Sequence, residues 1–346
     1  MTRILSAVAG LTLALGGSPA LIGPHPRRHP LAAHQPEHLP YAAALSTPHL
    51  FGEGVISTAD DEFGGAFTKD GKTVYFTKSA PGSYRYTICE SHWLGGRWTT
   101  PVVSPFSGRY SDSDPVFSPD GSKLFWTSDR PVDGAVKHDY DIWMVEKRGA
   151  GWSAPIHLPA PINSEASEFF ASMSKSGVLY FSSSRRGGAT GAIEAYRSRQ
   201  VGGKWTEPEN VSRMINGPDS AAYYDLDVMI DPDERFVLLS SLGRPDGFGH
   251  YDLYVAWRRG DGWSRPIHLP APFNTAARDY SPHLSPDGKY LFFASERGFA
   301  LDPIDRPLSY RELLGRIRGT LNGSGNIYQV ETSTLEAFDP EAGSRK

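Results

Sequence analysis

The chain of 346 residues carries 35 basic and 39 acidic side chains, a formal charge of −4 at pH 7. That mildly acidic balance, without a basic run or an RNA-binding motif, excludes a nucleic-acid footprint. A single cysteine, Cys89, excludes an intramolecular disulfide, so the fold must rest on a packed core; a lone Cys in an apolar run reads as a buried small residue.

In chain order, Arg3 precedes an apolar run from Ile4 to Leu15, and Gly16–Ala20 supply small residues for cleavage after Ala20. This is a secretory signal pattern, too short for a membrane span. No later run is long and apolar enough to cross a bilayer, and no cysteine near the cleavage site offers a lipid anchor. Residues 21–44, rich in Pro, His and Ala, read as a flexible linker. The expected organisation is a signal peptide (1–20), a linker (21–44), a single domain (45–340) and a tail (341–346). The expected location is periplasmic or secreted, and the expected state is a monomer.

From Glu62 onward one segment is written five times, starting again at Asp112, Glu168, Asp225 and Asp279. Its turn positions Gly71, Gly121, Gly177, Glu234 and Gly288 are 50, 56, 57 and 54 residues apart. Such a period suits a four-stranded propeller blade. Each unit places a Pro-Asp-Gly-like turn between two aromatic and β-branched runs, as in Leu124–Thr127 and Tyr290–Phe293, which signals a hairpin. A third strand follows at Asp141–Val145, Asp252–Val255 and Asn326–Val330. A fourth begins at Trp98, Trp152, Trp205 or Trp263 and contains a proline that only an edge strand tolerates. The last unit lacks this strand, and Leu45–Ile56 has no hairpin of its own. The predicted fold is therefore an all-β propeller of five blades, closed by an N-terminal strand that completes the last blade. Six blades would require a degenerate N-terminal blade.

The pattern Asp/Glu-x-x-Pro-x-Phe-Ser-Pro-Asp-Gly-x-x-Leu-Phe-Phe-x-Ser, with the following Asp-Ile-Tyr and Gly-x-Trp-Ser-x-Pro strands, resembles the TolB-like, WD-type propeller repeat of bacteria. The resemblance covers roughly residues 45–335. It implies ligand sites at the top mouth of the channel, and it does not fix an activity, because the fold hosts scaffolds, inhibitors, lyases and hydrolases. Ser176-Gly177, Asp233-Glu234 and a missing Arg in the first blade depart from the pattern.

Glu62, Asp112, Glu168, Asp225 and Asp279 occupy one repeated position, and Arg130, Arg185, Arg244 and Arg297 the end of the neighbouring strand. A bidentate acid–arginine pair pinning each blade suits that geometry. Asp112, Arg130, Asp225, Arg244, Asp279, Arg297 and His283, which points toward the channel, are also the candidate ligand-binding residues. A carboxylate ring offers a Ca²⁺ site, although no contiguous Ca²⁺ loop is present and no cofactor is expected.

Irregular positions carry more information. Only blades two and four have a second acid, Asp114 and Asp227, two residues beyond the repeated one and so expected on its strand face. The same blades carry His138 and His250. These four are the candidate catalytic residues, because acid–base chemistry needs a donor and an acceptor with separated pKa values. Shared descent offers a bland alternative: the two blades also end almost identically, at Pro155–Asn163 and Pro266–Asn274. An insertion from Gly298 to Gly325 contains a capping box, Ser309-Tyr-Arg-Glu312, and an apolar helical face, making it a lid, a docking element or a rim cover.

No serine-nucleophile, zinc, phosphate-loop or dinucleotide motif appears. The chain reads first as a binding or scaffold protein that recognises an envelope or extracellular protein, or a glycan, at the top face. The alternative is a carbohydrate-active lyase or hydrolase using the paired acids.

Overall fold

Five hairpins whose strands are buried on both faces cannot stand alone; each must pack between neighbours, and a closed ring leaves no open edge. The computed structural model describes residues 40–41, 44–134, 139–185, 192–217, 222–298 and 304–342. The signal segment, most of the linker and His138 lie outside the described residues.

The five sheets form the five-bladed propeller expected from the repeat. The innermost strands are Asp61–Phe67, Asp112–Phe117, Glu168–Met173, Tyr224–Ile230 and Asp279–Leu284. Each pairs antiparallel with a second strand, and that with a third. The outer strand differs from the sequence reading. Its proline breaks it into two short pieces, as at Gly151–Trp152 and Ile156–His157, which both pair with Asp141–Arg148. In blade five the outer strand is His49–Leu50, which pairs with Asn326–Glu331 in the register His49 to Gln329. The N-terminal closure is thus present. The packed chain begins ahead of residue 45: Tyr41 is buried against Phe67, Tyr290 and Phe292.

One hydrogen bond repeats around the ring. The N–H of Asp112, Glu168, Asp225, Asp279 and Glu62 donates to the carbonyl of Tyr86, Tyr140, Ile193, Tyr251 and Gly325 respectively, at 2.8–3.0 Å. The last of these joins blade five to blade one. Among the described residues no helix is long and apolar enough to cross a membrane. Cys89 is free and buried.

Candidate active site at the channel mouth

The repeated acids belong to the frame of the blades. Asp112 Oδ1 accepts from Arg130 (2.6 Å), Ser128 (2.7 Å) and Trp126 Nε1 (3.1 Å), while Oδ2 accepts from Ser107 (2.8 Å). Asp225 is held by Arg244, Asp279 by Arg297 and Glu168 by Arg185. In blade one, Lys78 supplies the cation that the missing Arg left open, pairing with Glu62. All five carboxylates are fully buried. The cation that each accepts from belongs to its own blade, which is what a pinning pair requires.

The second acids do not share the strand face of the first. Every innermost strand shifts register at this point: between Ser113 and Val116, between Leu226 and Met229, and equivalently in the other three blades. This is a β-bulge, and it breaks the two-residue alternation on which the sequence reading relied. The bulged residues all have positive φ: Gly64 (70°), Asp114 (55°), Phe170 (43°), Asp227 (52°) and Ser281 (50°). Asp tolerates this region better than most residues, whereas Phe170 and Ser281 occupy it at a cost, and such strain gathers at functional sites.

Five bulges turn five residues toward the axis. There Ser281 of blade five joins the acids of blades two and four. Its Oγ donates to Asp114 Oδ1 (3.3 Å), and its N–H donates to Asp227 Oδ2 (3.0 Å). Ser113 donates to Asp114, and Ser240 to Asp227, each at 3.0 Å. Among the described residues, neither carboxylate has a direct cationic partner. Burial, and then the Asp227 charge, push the Asp114 carboxyl up to about 7. Burial also raises Asp227, but the nearby Arg278 cation opposes the rise.

His283 lies beneath this ring. Its Nε2 is 3.0 Å from the Pro115 carbonyl oxygen of blade two, and its Nδ1 is 3.0 Å from the Ser281 carbonyl oxygen. A neutral imidazole donates to only one of them, and burial drives its pKa down to about 4. Gly64 packs over the ring: a Cβ there would sit 3.5 Å from His283 Cε1 in a conformation that favours glycine. His283 therefore crosses the axis and forms a floor. Below it lies a separate cavity of about 50 Å³ on the hairpin side, lined in part by Val116, Met173, Met229 and Pro286.

Above the floor, Arg278 is the cation that repeat reasoning missed. Its guanidinium lies 4.0 Å from the Tyr280 ring centroid and 5.3 Å from that of Tyr251, and 3.6 Å from Glu296. Phe63 packs edge-on to Tyr86 and tilted on Tyr280. Burial raises Glu296, with Arg278 opposing and Asp61 adding to the rise; His250, exposed on the rim, also bears on Glu296. The signal for Arg278 was present in the repeat, since the residue before the repeated acid is Asp61, Ser111, Ser167 or Tyr224 elsewhere. Of the sequence candidates, the structure brings Asp114, Asp227 and His283 together, places His250 at the rim, and keeps Asp112, Arg130, Asp225, Arg244, Asp279 and Arg297 in the blade frame. Among the described residues no group of three or more His, Cys, Asp or Glu side chains is arranged to hold a metal ion.

No protein-family model matches the chain, and no curated protein matches it. Solved structures with similar folds include a periplasmic gluconolactonase from Pseudomonas aeruginosa (16% identity, 67% of this chain, 64% of the other, TM-score 0.35). Others are a GH62 hydrolase in complex with xylotriose (11%, 84% and 99%, 0.45) and a luciferin-regenerating enzyme (12%, 82% and 94%, 0.42). The chain spans just under two thirds of the gluconolactonase's length. At these identities and TM-scores the likenesses carry no statement about chemistry.

Proposed function

We propose that the protein is an acid–base hydrolase acting at the top mouth of its channel on a polar, carbohydrate-like substrate, in the periplasm or outside the cell. One observation carries this reading: two axial carboxylates, buried with no direct cation among the described residues, of which burial and the Asp227 charge push Asp114 up to about 7. Buried acids that only stabilised the fold would be paired, as Asp112 is with Arg130. Acid–base catalysis needs a donor and an acceptor; the Asp227 charge adds to the rise that burial imposes on Asp114, whereas at Asp227 the Arg278 cation is the main influence opposing that rise. Asp114 donates its proton to the leaving oxygen as the substrate C–O bond breaks. Water forms the new C–O bond and gives its proton to Asp227, whose charge Arg278 favours. Tyr86 and Tyr251, both half-buried at the mouth, offer aromatic surface against which a sugar ring packs.

The test is a turnover screen on cell-envelope glycans and on soluble glycosides and lactones, read by mass spectrometry, with Asp114→Asn and Asp227→Asn beside the wild type. The expected result is a new product whose formation falls about a hundredfold or more in either variant, the usual range for a lost acid or base, with folding retained. Equal turnover in the folded double variant would remove the pair from catalysis. Tight retention of an unaltered glycan or protein would instead favour a TolB-like binding role, which the exposed top rim also favours.

A further inference from the structure

The helix Tyr310–Ile317, within the insertion of blade five, buries none of its residues. Its apolar side chains face water: Tyr310 is 74% exposed and Ile317 48%, and Leu313 is also open. The helix is nonetheless tied down by specific contacts. A capping box joins Ser309 and Glu312, and Arg306 pairs with Glu312. At its neck, Gly298 bridges Asn322, whose side chain donates to the Ala59 carbonyl (2.8 Å). A Cβ on Gly298 would lie 2.5 Å from the Leu321 carbonyl oxygen, so the neck closes only around glycine. Holding an apolar stripe in water is unfavourable, and none of the described residues buries this one.

Two further observations identify the covering surface. First, residues 304–321 contain four arginines, Arg306, Arg311, Arg316 and Arg318, against Asp305 and Glu312, a net +2 in a chain of net −4. At about 100° per residue, Tyr310, Leu313, Leu314 and Ile317 share one arc, with Arg311 and Arg318 at one border and Arg316 beyond the other. An apolar stripe flanked by arginines is the pattern of helices that lie in a lipid headgroup region. Second, the neighbouring top loops also expose aromatics: Tyr84 of blade one is 83% exposed and Phe248 of blade four 47%. Blades four, five and one are consecutive around the ring, so Tyr84 and Phe248 stand on the two blades that flank the blade carrying the helix.

We propose that this face docks the protein on an anionic lipid surface, with Arg311 and Arg318 at the headgroups and Tyr310, Leu313 and Ile317 inserted. The docking turns the channel mouth toward the lipid surface, and it is independent of the catalytic reading.

The test is flotation of the intact chain with vesicles of phosphatidylglycerol and phosphatidylcholine, against phosphatidylcholine alone, at low and high salt. Wild type should float with the anionic vesicles and be released by salt. Leu313→Asp with Ile317→Asp, and separately Arg311→Glu with Arg318→Glu, should each weaken binding about tenfold or more without lowering the melting temperature, because these side chains support no core. No binding to anionic vesicles would overturn the proposal. Binding unchanged in both variants would also overturn it, placing the contact elsewhere on the chain. A protein partner captured by the wild type and lost in the variants, with vesicles ignored, would reassign this face to protein docking.

Discussion

Asp112 and Asp114 are separated by one residue and both are withdrawn from water, yet their surroundings differ in kind. Asp112 lies before the bulge and has four donors, one of them a guanidinium. Asp114 lies on the bulge, accepts from two serine hydroxyls, and has a like charge, Asp227, as its electrostatic neighbour. A single extra residue in the strand thus separates an acid that holds a blade together from one that holds a proton. The same contrast repeats in blade four between Asp225, with Arg244, and Asp227, with Ser240 and Ser281.

The largest effect should come from breaking the frame. Asp112→Ala leaves the Arg130 charge buried without its carboxylate, a change that typically costs about 3–5 kcal/mol. Urea unfolding of the variant should show a loss of that size. A loss below about 1 kcal/mol would mean that the two classes of acid are not distinct.

Much of the frame was legible in the sequence, because a residue present in every copy has to serve every copy. The repeat pointed to five blades, the hairpins and the acid–arginine pairs of four blades, and the missing outer strand of blade five pointed to the N-terminal closure. The axial site was only half legible. Asp114 and Asp227 stood out as irregular, but alternation along a strand placed them on the wrong face, since a bulge at Asp114 needs only local backbone freedom and leaves no compositional mark beyond Gly64. Arg278 was readable as a departure from the repeat, whereas Glu296 has an acidic counterpart in Asp129 and carried no such mark. The ring contact through Ser281 joins residues 167 apart in sequence, and no local pattern encodes it.

A smaller, pH-dependent effect sharpens the same contrast. The folded Asp114 carboxyl titrates at about 7, above its unfolded value near 4. The folded state therefore holds more protons than the unfolded state across that interval. This contribution is complete below about pH 4 and is lost as pH rises through about 7. Asp114→Asn keeps a residue that accepts positive φ and removes the titration. Wild-type stability relative to the variant should fall by on the order of 2–4 kcal/mol between pH 4 and pH 8, measured by urea midpoints. His283 runs in the opposite sense: its folded pKa of about 4 lies below the unfolded value, so its contribution is present above about pH 6.5 and is lost as pH falls. Because both proteins retain His283, it cancels in the comparison. A flat difference across the range would show that Asp114 is an ordinary carboxylate.

The smallest stability effect belongs to Arg278. Its side chain lies against Tyr280 and Tyr251 and opens to the mouth, so Arg278→Met should change the unfolding free energy by less than about 1 kcal/mol, as partly exposed ionic contacts usually do. Its effect on chemistry should be larger than its effect on folding. The guanidinium opposes the rise that burial imposes on Asp227, so removing it moves the Asp227 pKa upward. The acidic limb of the kcat/KM profile, which reports the base in the free enzyme, should shift to higher pH. With a substrate in hand, an unmoved acidic limb in a folded Arg278→Met protein would exclude Asp227 as the base that Arg278 tunes.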